Sequence, residues 1–483
     1  MPRPTASAVV LATLIALAAA CSDDAAPSGP APATTPAIPP APSTPASASS
    51  EGPMTSSSAA SKPAAKPTTE DEAAALALVE QLRNGQYADA RKTFDATMSA
   101  ALDVQKLQVT WEALGKQAGP LRNVEGTKSD AQGPYTVVAV TCAFENARID
   151  VKLAFDPSHH VAGLFFLPTP DAWAPPAYAK PDTVDDVEIT IGDDPWKLPG
   201  TLSLPKGKTG VPAVILVHGS GPGDRDESIG PNRPFADLAA GLAAKGIAVL
   251  RYDKRTKVYG PKIDLTTFTA VDESVTDTIA ALHLLEARPE IDPKRIWVVG
   301  HSLGGFLAPR IAEKAPSVRG IALLAGSTRD LLGMMLEQQD YLSKLDGKVD
   351  PSETDLIEKT KKAKKRVDDL VKGAKPEPGE IIIGAGPAYY LDLAKYDALA
   401  TVARLDKPVF VAQGERDYQV TKVDFDRWKK SLAGKKDVEQ KLYPALNHLL
   451  AAGEGKSAPE EYQRRTPVDA TLIDDLASFV LSH

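Results

Sequence analysis

The sequence predicts an α/β chain: a mostly parallel sheet with helices on both faces, interrupted by a helical insert and preceded by a small α+β domain. Three observations predict it. From about residue 211, short apolar strands alternate with helix-patterned stretches. Between one such strand and the helix after it lies Gly300-His301-Ser302-Leu303-Gly304, a serine flanked by glycines at a strand-to-helix turn. Residues 70–170 run in a different order, helices first and strands after.

Length and composition set the frame. The 483 residues allow two or three domains, and 43% apolar residues allow a large core. The formal net charge is -8 with both signs mixed along the chain, so no basic face predicts a nucleic-acid partner. Only two cysteines occur, Cys21 and Cys142. They argue against a disulfide framework and a cysteine metal site. Cys142 falls in the apolar run 137–144, where a free cysteine behaves as a small buried hydrophobe.

Residues 1–21 read as a targeting segment: Arg3, then the apolar run 8–20, too short to span a bilayer as an ordinary helix. The segment ends Leu17-Ala18-Ala19-Ala20-Cys21, which resembles a bacterial lipoprotein signal with Cys21 as the lipidated residue, although Ala18 stands where that pattern prefers Leu. An ordinary secretory signal is the alternative. Residues 22–69 are almost all Ala, Pro, Ser and Thr. Such a stretch buries too little apolar surface to fold and acts as a semi-stiff spacer. Together they predict a cell-envelope or secreted location, with a membrane partner through the lipid.

In residues 70–170, helical spacing runs through 70–82, 87–102 and 104–118, the last ended by Gly119-Pro120. Strands follow at 136–144, 147–155 and 161–166. His159 and His160 show no acidic partner at metal or triad spacing, and as strand neighbours they would point to opposite faces. The segment resembles the uncharacterised domain that commonly precedes secreted α/β hydrolases, which implies a cone-like fold similar to nuclear transport factor 2.

Residues 183–483 open with an antiparallel pair, 187–191 and 198–204. Strands at 211–217, 247–252, 295–299, 320–325 and 408–413 then alternate with helices at 235–244, 273–287 and 304–315. In such sheets ligands bind beyond the carboxyl ends of the strands, where the motifs fall. Between about 328 and 405 the alternation breaks. Helices at 331–345 and 351–372 predict a cap over the site, with the basic run 359–366 as a solvated face. Met334, Met335, Tyr341, Tyr389 and Tyr390 are open to two readings, pocket lining or the cap's own core.

The Gly-x-Ser-x-Gly turn makes Ser302 the candidate nucleophile. His218-Gly219-Ser220-Gly221-Pro222 follows strand 211–217, where the N–H of Ser220 would join that of Leu303 as an oxyanion hole. Gly223-Asp224-Arg225-Asp226 continues it, as a solvated loop or a lock on that turn. A serine hydroxyl needs a base. Of the seven histidines only His448 and His483 follow Ser302, and His483 ends the chain. His448, after strand-like 442–447, is the candidate base, while His218 and His301 belong to the turns. Asp417, in Gly414-Glu415-Arg416-Asp417 after strand 408–413, is the candidate acid, with Glu415 and Asp424 as alternatives.

His-Gly-Ser-Gly-Pro-x-Asp-Arg-Asp, Gly-His-Ser-Leu-Gly-Gly, Gly414 to Val420 and Leu446-Asn447-His448, in that order over some 300 residues, resemble a bacterial α/β-hydrolase family. Its members include secreted carboxylesterases and dienelactone-hydrolase-like enzymes. The resemblance implies a small-molecule ester substrate with a short acyl group, cleaved through an acyl-enzyme, with no metal or organic cofactor. A peptidase or thioesterase using the same triad is a rival. A non-catalytic envelope-binding lipoprotein is another, against which the complete set Ser302, Asp417 and His448 speaks.

Overall fold

A computed structural model of the protein describes residues 69–132, 135–169, 173–345, 347 and 350–483. The leader, Cys21 and all but the last residue of the spacer lie outside the described residues. The chain divides into two compact units, with the boundary between positions 170 and 171.

The first unit carries helices Glu70–Arg83, Tyr87–Arg91, Ala96–Ala101 and Val104–Ala118, then an antiparallel sheet in the order β1 (Leu121–Gln132), β2 (Tyr135–Phe144), β3 (Arg148–Phe155), β4 (Val161–Pro168). Alternation places Val138, Val140, Cys142 and Phe144 of β2 in one core with Leu78, Leu82, Leu107 and Trp111 of the helices. Burial pushes the Cys142 thiol up to about 12, so it stays protonated. Two expectations are corrected here. The helix expected over 87–102 is broken, because Thr93 and Asp95 exchange backbone hydrogen bonds with Val161 at 2.8 and 3.0 Å. Asp95 then caps the next helix through Met98 N. His159 and His160 sit in the turn between β3 and β4, not in a strand. His159, at φ 64°, places Nδ1 2.7 Å from the carboxylate of Asp71, an acidic partner too distant in sequence to be read there.

The second unit is an eight-stranded sheet in the order β12 (Val438–Tyr443), β11 (Val409–Gly414), β10 (Gly320–Leu324), β9 (Ile291–His301), β7 (Val211–Val217), β8 (Ala248–Tyr252), β6 (Leu198–Pro205), β5 (Val184–Ile191). β6 is antiparallel to both neighbours, and the remaining pairs are parallel. Parallel strands need crossovers, and the crossovers cover both faces. Ala213, Ile215 and Val217 of β7 join Leu282, Leu307, Val402 and Trp428 on one face. Val214 and Leu216 join Phe235, Leu238, Leu472 and Phe479 on the other.

The insert is smaller than the break in alternation suggests. Ala398 and Val402, from helix Ala398–Arg404, belong to the core beside the sheet. Helices Leu331–Ser343 and Pro351–Val371 instead share a separate small core of Leu332, Met335, Val367, Leu370, Ile382 and Tyr390. Along the second of these helices, Lys359, Lys361, Lys364 and Lys365 pair with Asp355, Glu358, Asp368 and Asp369 one turn away, which is a solvated face.

Candidate active site

β9 runs into helix Leu303–Lys314 with Ser302 alone between them. Ser302 has φ 53°, a left-handed value that costs a non-glycine residue roughly 1–3 kcal/mol. The turn is held by Ser302 N donating to Leu324 O at 3.0 Å and Phe306 N to Ser302 O at 3.1 Å. It is also tight: a Cβ on Gly300 would meet Gly304 O at 2.2 Å, and one on Gly304 would meet Val217 O at 2.1 Å. Only glycine fits at either position. The product is a half-buried hydroxyl at the start of a helix, whose N-terminus favours negative charge.

The loop after β7 faces this elbow. A Cβ on Gly219 would lie 3.1 Å from Ser302 Cβ, so the backbone of the turn passes against Ser302. Ser220 and Leu303 border the same cavity as Ser302. Neither backbone N–H donates to another group among the described residues, so both are free to receive an oxyanion. Gly219 N donates to Glu227 Oε1 at 2.6 Å, and the other oxygen of Glu227 lies 2.9 Å from His301 Nδ1. Burial opposes charge on both, yet their mutual attraction prevails: the carboxyl of Glu227 is lowered and the imidazole of His301 raised. His218 is the opposite case. Burial lowers its pKa, Nε2 bonds to Asp224 O at 2.8 Å, and the neutral ring packs on Phe235 and Tyr252. Asp224 to Asp226 lock the loop to the sheet: Arg225 bonds to Glu188, Thr201 and Asp253, and Asp226 pairs with Arg251.

His448 and Asp417 are brought together from loops after β12 and β11. Nδ1 of His448 and Oδ2 of Asp417 are 2.8 Å apart, and both side chains are buried. Asp417 also accepts from Gln419 N at 2.8 Å, Val420 N at 3.0 Å and Gln413 Nε2 at 3.2 Å. This fixes the carboxylate and, through it, the ring. Glu415 is exposed, and Asp424 binds Thr328 and Arg329, so neither is the partner of His448. Ser302 is tied to the pair through its neighbour. The ring of His301 lies against that of His448 with centroids 4.8 Å apart, and its Nε2 donates to His448 O at 2.8 Å. Among the described residues no hydrogen bond joins the Ser302 hydroxyl to His448. Such contacts often close only with substrate bound.

The cavity over Ser302, about 200 Å³, is walled by Phe306, Met334, Val367, Tyr390 and Tyr396. A second, more apolar cavity shares Ser220, Leu331 and Tyr390 with it and reaches Ile263 and Phe268. The insert residues thus divide between the two readings. Met334 lines the cavity, Met335 lies in the insert's core, and Tyr390 does both. Tyr341 stacks on Tyr418, and Tyr389 donates to Glu273 at 2.7 Å. Glu227, Lys254 and Glu273 were not singled out from sequence. The signals that point to Glu227 and Lys254 are position: Glu227 directly follows the Asp-Arg-Asp run, and Lys254 lies just past the carboxyl end of β8.

Comparison with known proteins agrees with this architecture. Residues 214–462 match the model of the alpha/beta hydrolase family, and residues 75–164 match a protein family of unknown function, DUF3887. Esterase EstD of Thermotoga maritima is 36% identical over 409 residues, covering 84% of this chain and 94% of that protein. Among solved structures, Est1E from Butyrivibrio proteoclasticus is similar at 17% identity and TM-score 0.40, over 61% of this chain and 99% of that one. Acetyl xylan esterase 1 from Thermoanaerobacterium sp. is similar at 17% identity and TM-score 0.37, over 58% of this chain and 83% of that one.

Proposed function

This chain belongs to the alpha/beta hydrolase family, and from that premise we propose that it cleaves carboxylic esters of short acyl groups through an acyl-enzyme on Ser302. It is a carboxylesterase-type hydrolase, and its Thermotoga maritima relative is named an esterase. In the proposed cycle, Ser302 Oγ attacks the ester carbonyl while His448 Nε2 takes the hydroxyl proton. Asp417 holds the ring through Nδ1 and stabilises the imidazolium. The N–H groups of Ser220 and Leu303 receive the oxyanion. His448 then protonates the departing alcohol, and in the second half it activates water to release the acid.

The observation that carries this reading is the buried Asp417–His448 pair, 2.8 Å apart, docked by His301 onto the turn that presents Ser302. A cavity of about 200 Å³, where Phe306, Met334 and Val367 face Ser327 and Thr328, supports a small acyl group. The test is Ser302→Ala against p-nitrophenyl acetate. Turnover is expected to fall by about 10³-fold or more, with labelling by a fluorophosphonate abolished; full residual turnover overturns the assignment. A parallel panel of esters, thioesters and aminoacyl amides should show the esters fastest.

For location we propose a lipid-anchored protein of the bacterial cell envelope, on the strength of the leader that ends at Cys21 and the spacer behind it. Cys21→Ser is expected to move the protein from the membrane fraction to the soluble one. Unchanged partitioning argues for another mode of retention.

A further inference from the structure

We propose that Lys254 is a positioning residue for this reaction: its ammonium fixes and polarises the Gly219–Ser220 peptide so that the Ser220 N–H faces the nucleophile. The inference rests on the acyl-transfer reading above.

Lys254 lies just after β8 and is 1% exposed. Its Nζ donates to Gly219 O at 2.9 Å and lies 3.1 Å from Glu273 Oε1. The N–H of the same glycine donates to Glu227 at 2.6 Å. One residue is therefore clamped at both of its polar atoms by buried ions of opposite sign. Burying an ammonium carries a large desolvation cost unless partners compensate, and an apolar side chain would fill the space without it. A cation here calls for a reason beyond packing.

Peptide geometry supplies one. The Gly219–Ser220 bond is trans, since among the described residues the cis bond is Asp194-Pro195. In a planar trans peptide the carbonyl and the N–H point in opposite directions. With Gly219 O held on Lys254, the Ser220 N–H points away from the lysine. Ser220 borders the cavity of Ser302, and its N–H donates to no group among the described residues. A cation on the carbonyl oxygen also draws electron density from the amide nitrogen and strengthens its N–H as a donor. The dipole is thus set before any oxyanion forms, as transition-state stabilisation requires.

The lysine is itself fixed. Its backbone N donates to Gly223 O at 3.0 Å, which ties it to the same loop. Glu273 accepts from Thr256 Oγ1 at 2.8 Å and from the Tyr389 hydroxyl at 2.7 Å. Tyr389 belongs to helix Pro387–Lys395, so this helix reaches the oxyanion turn through Glu273 and Lys254.

The test is Lys254→Met, with Lys254→Met/Glu273→Gln as its companion, because the double variant leaves no unpaired carboxylate in the core. In both, kcat on p-nitrophenyl acetate is expected to fall about 10- to 100-fold with KM within about threefold. The inhibition constant of a phenylboronic acid, which forms a tetrahedral anion on the nucleophile, should rise in step with the loss of kcat. A folded double variant that turns over at the parental rate overturns the proposal, as does a loss of kcat with boronate affinity unchanged. Ser302→Ala assayed alongside separates the two readings. If it keeps turnover, the acyl-transfer reading falls. If it is silent while the lysine variants run at full speed, the positioning role alone is refuted.

Discussion

Asp417 and Asp424 are both buried after β11, and their partners assign them different duties. Asp417 holds His448 and three further donors; Asp424 holds Thr328 and the guanidinium of Arg329. On the proposed mechanism, Asp417→Asn should cost about 10⁴-fold in kcat, because an amide cannot hold His448 in the tautomer that a base requires. Asp424→Asn should leave kcat nearly unchanged and lower unfolding free energy by roughly 1–3 kcal/mol, since it weakens a buried carboxylate's hydrogen bonds to Thr328 and Arg329, while Arg329 keeps Glu337. Initial rates and urea melts on both variants check the division. The pair Glu227 and His301 gives a pH signature. The His301 imidazole is raised above its ordinary 6.5. Its contribution is complete below that value and disappears as pH rises through the folded value. The Glu227 carboxyl is lowered below 4.5. Its contribution is complete above that value and disappears as pH falls through the folded one. Stability should therefore plateau between these limits, and Glu227→Gln should flatten both shoulders. A variant that keeps both shoulders shows that other groups produce them.

The strand-to-helix elbow was legible because its signature, glycines two residues either side of Ser302 between a strand and a helix, lies within five residues. Gly300, Ser302 and Gly304 are fixed by contacts within a few residues and by the back of β7. Gly304→Ala puts a methyl group 2.1 Å from Val217 O, so it is expected to cost about 1–3 kcal/mol of stability and to abolish fluorophosphonate labelling of Ser302. Unimpaired labelling would show that the elbow relaxes. Other elements were illegible for equally physical reasons. β1, Leu-Arg-Asn-Val-Glu-Gly-Thr-Lys-Ser-Asp-Ala-Gln, lacks apolar alternation, because pairing with β2 holds it rather than its own burial. The break at 93–95 depends on Val161, far along the chain. Helix Ala398–Arg404 looked like insert because its sequence does not show that Val402 meets the sheet. Chain order could select Ser302, Asp417 and His448. The clamp of Lys254 and Glu227 on Gly219 exists only once the loop after β7 has closed on itself and met the segment after β8.

Taken whole, the described residues form two compact units, each with hydrophobic clusters of its own. Leu78, Trp111, Val140 and Phe155 close the first among themselves, and Ile215, Leu307, Val411 and Trp428 close part of the second. Every group assigned to chemistry, from Gly219 to His448, lies in the second unit. A unit with its own core is expected to fold alone. A fragment of residues 173–483 retains Trp173, which donates to Asp237 at 2.9 Å, and Tyr178, which donates to Val468 O at 2.9 Å, so the truncation leaves the unit's own ties intact. It should hydrolyse p-nitrophenyl acetate with kcat/KM within about threefold of the full chain, and calorimetry of the full chain should resolve two transitions. On bulky esters the comparison becomes informative about the first unit. Equal rates would leave it no part in choosing substrates, whereas a fragment fast on acetate and slow on the bulky ester would show that residues 70–170 influence which ester is cleaved. A fragment that folds but loses acetate turnover as well would show that the catalytic cluster needs both units.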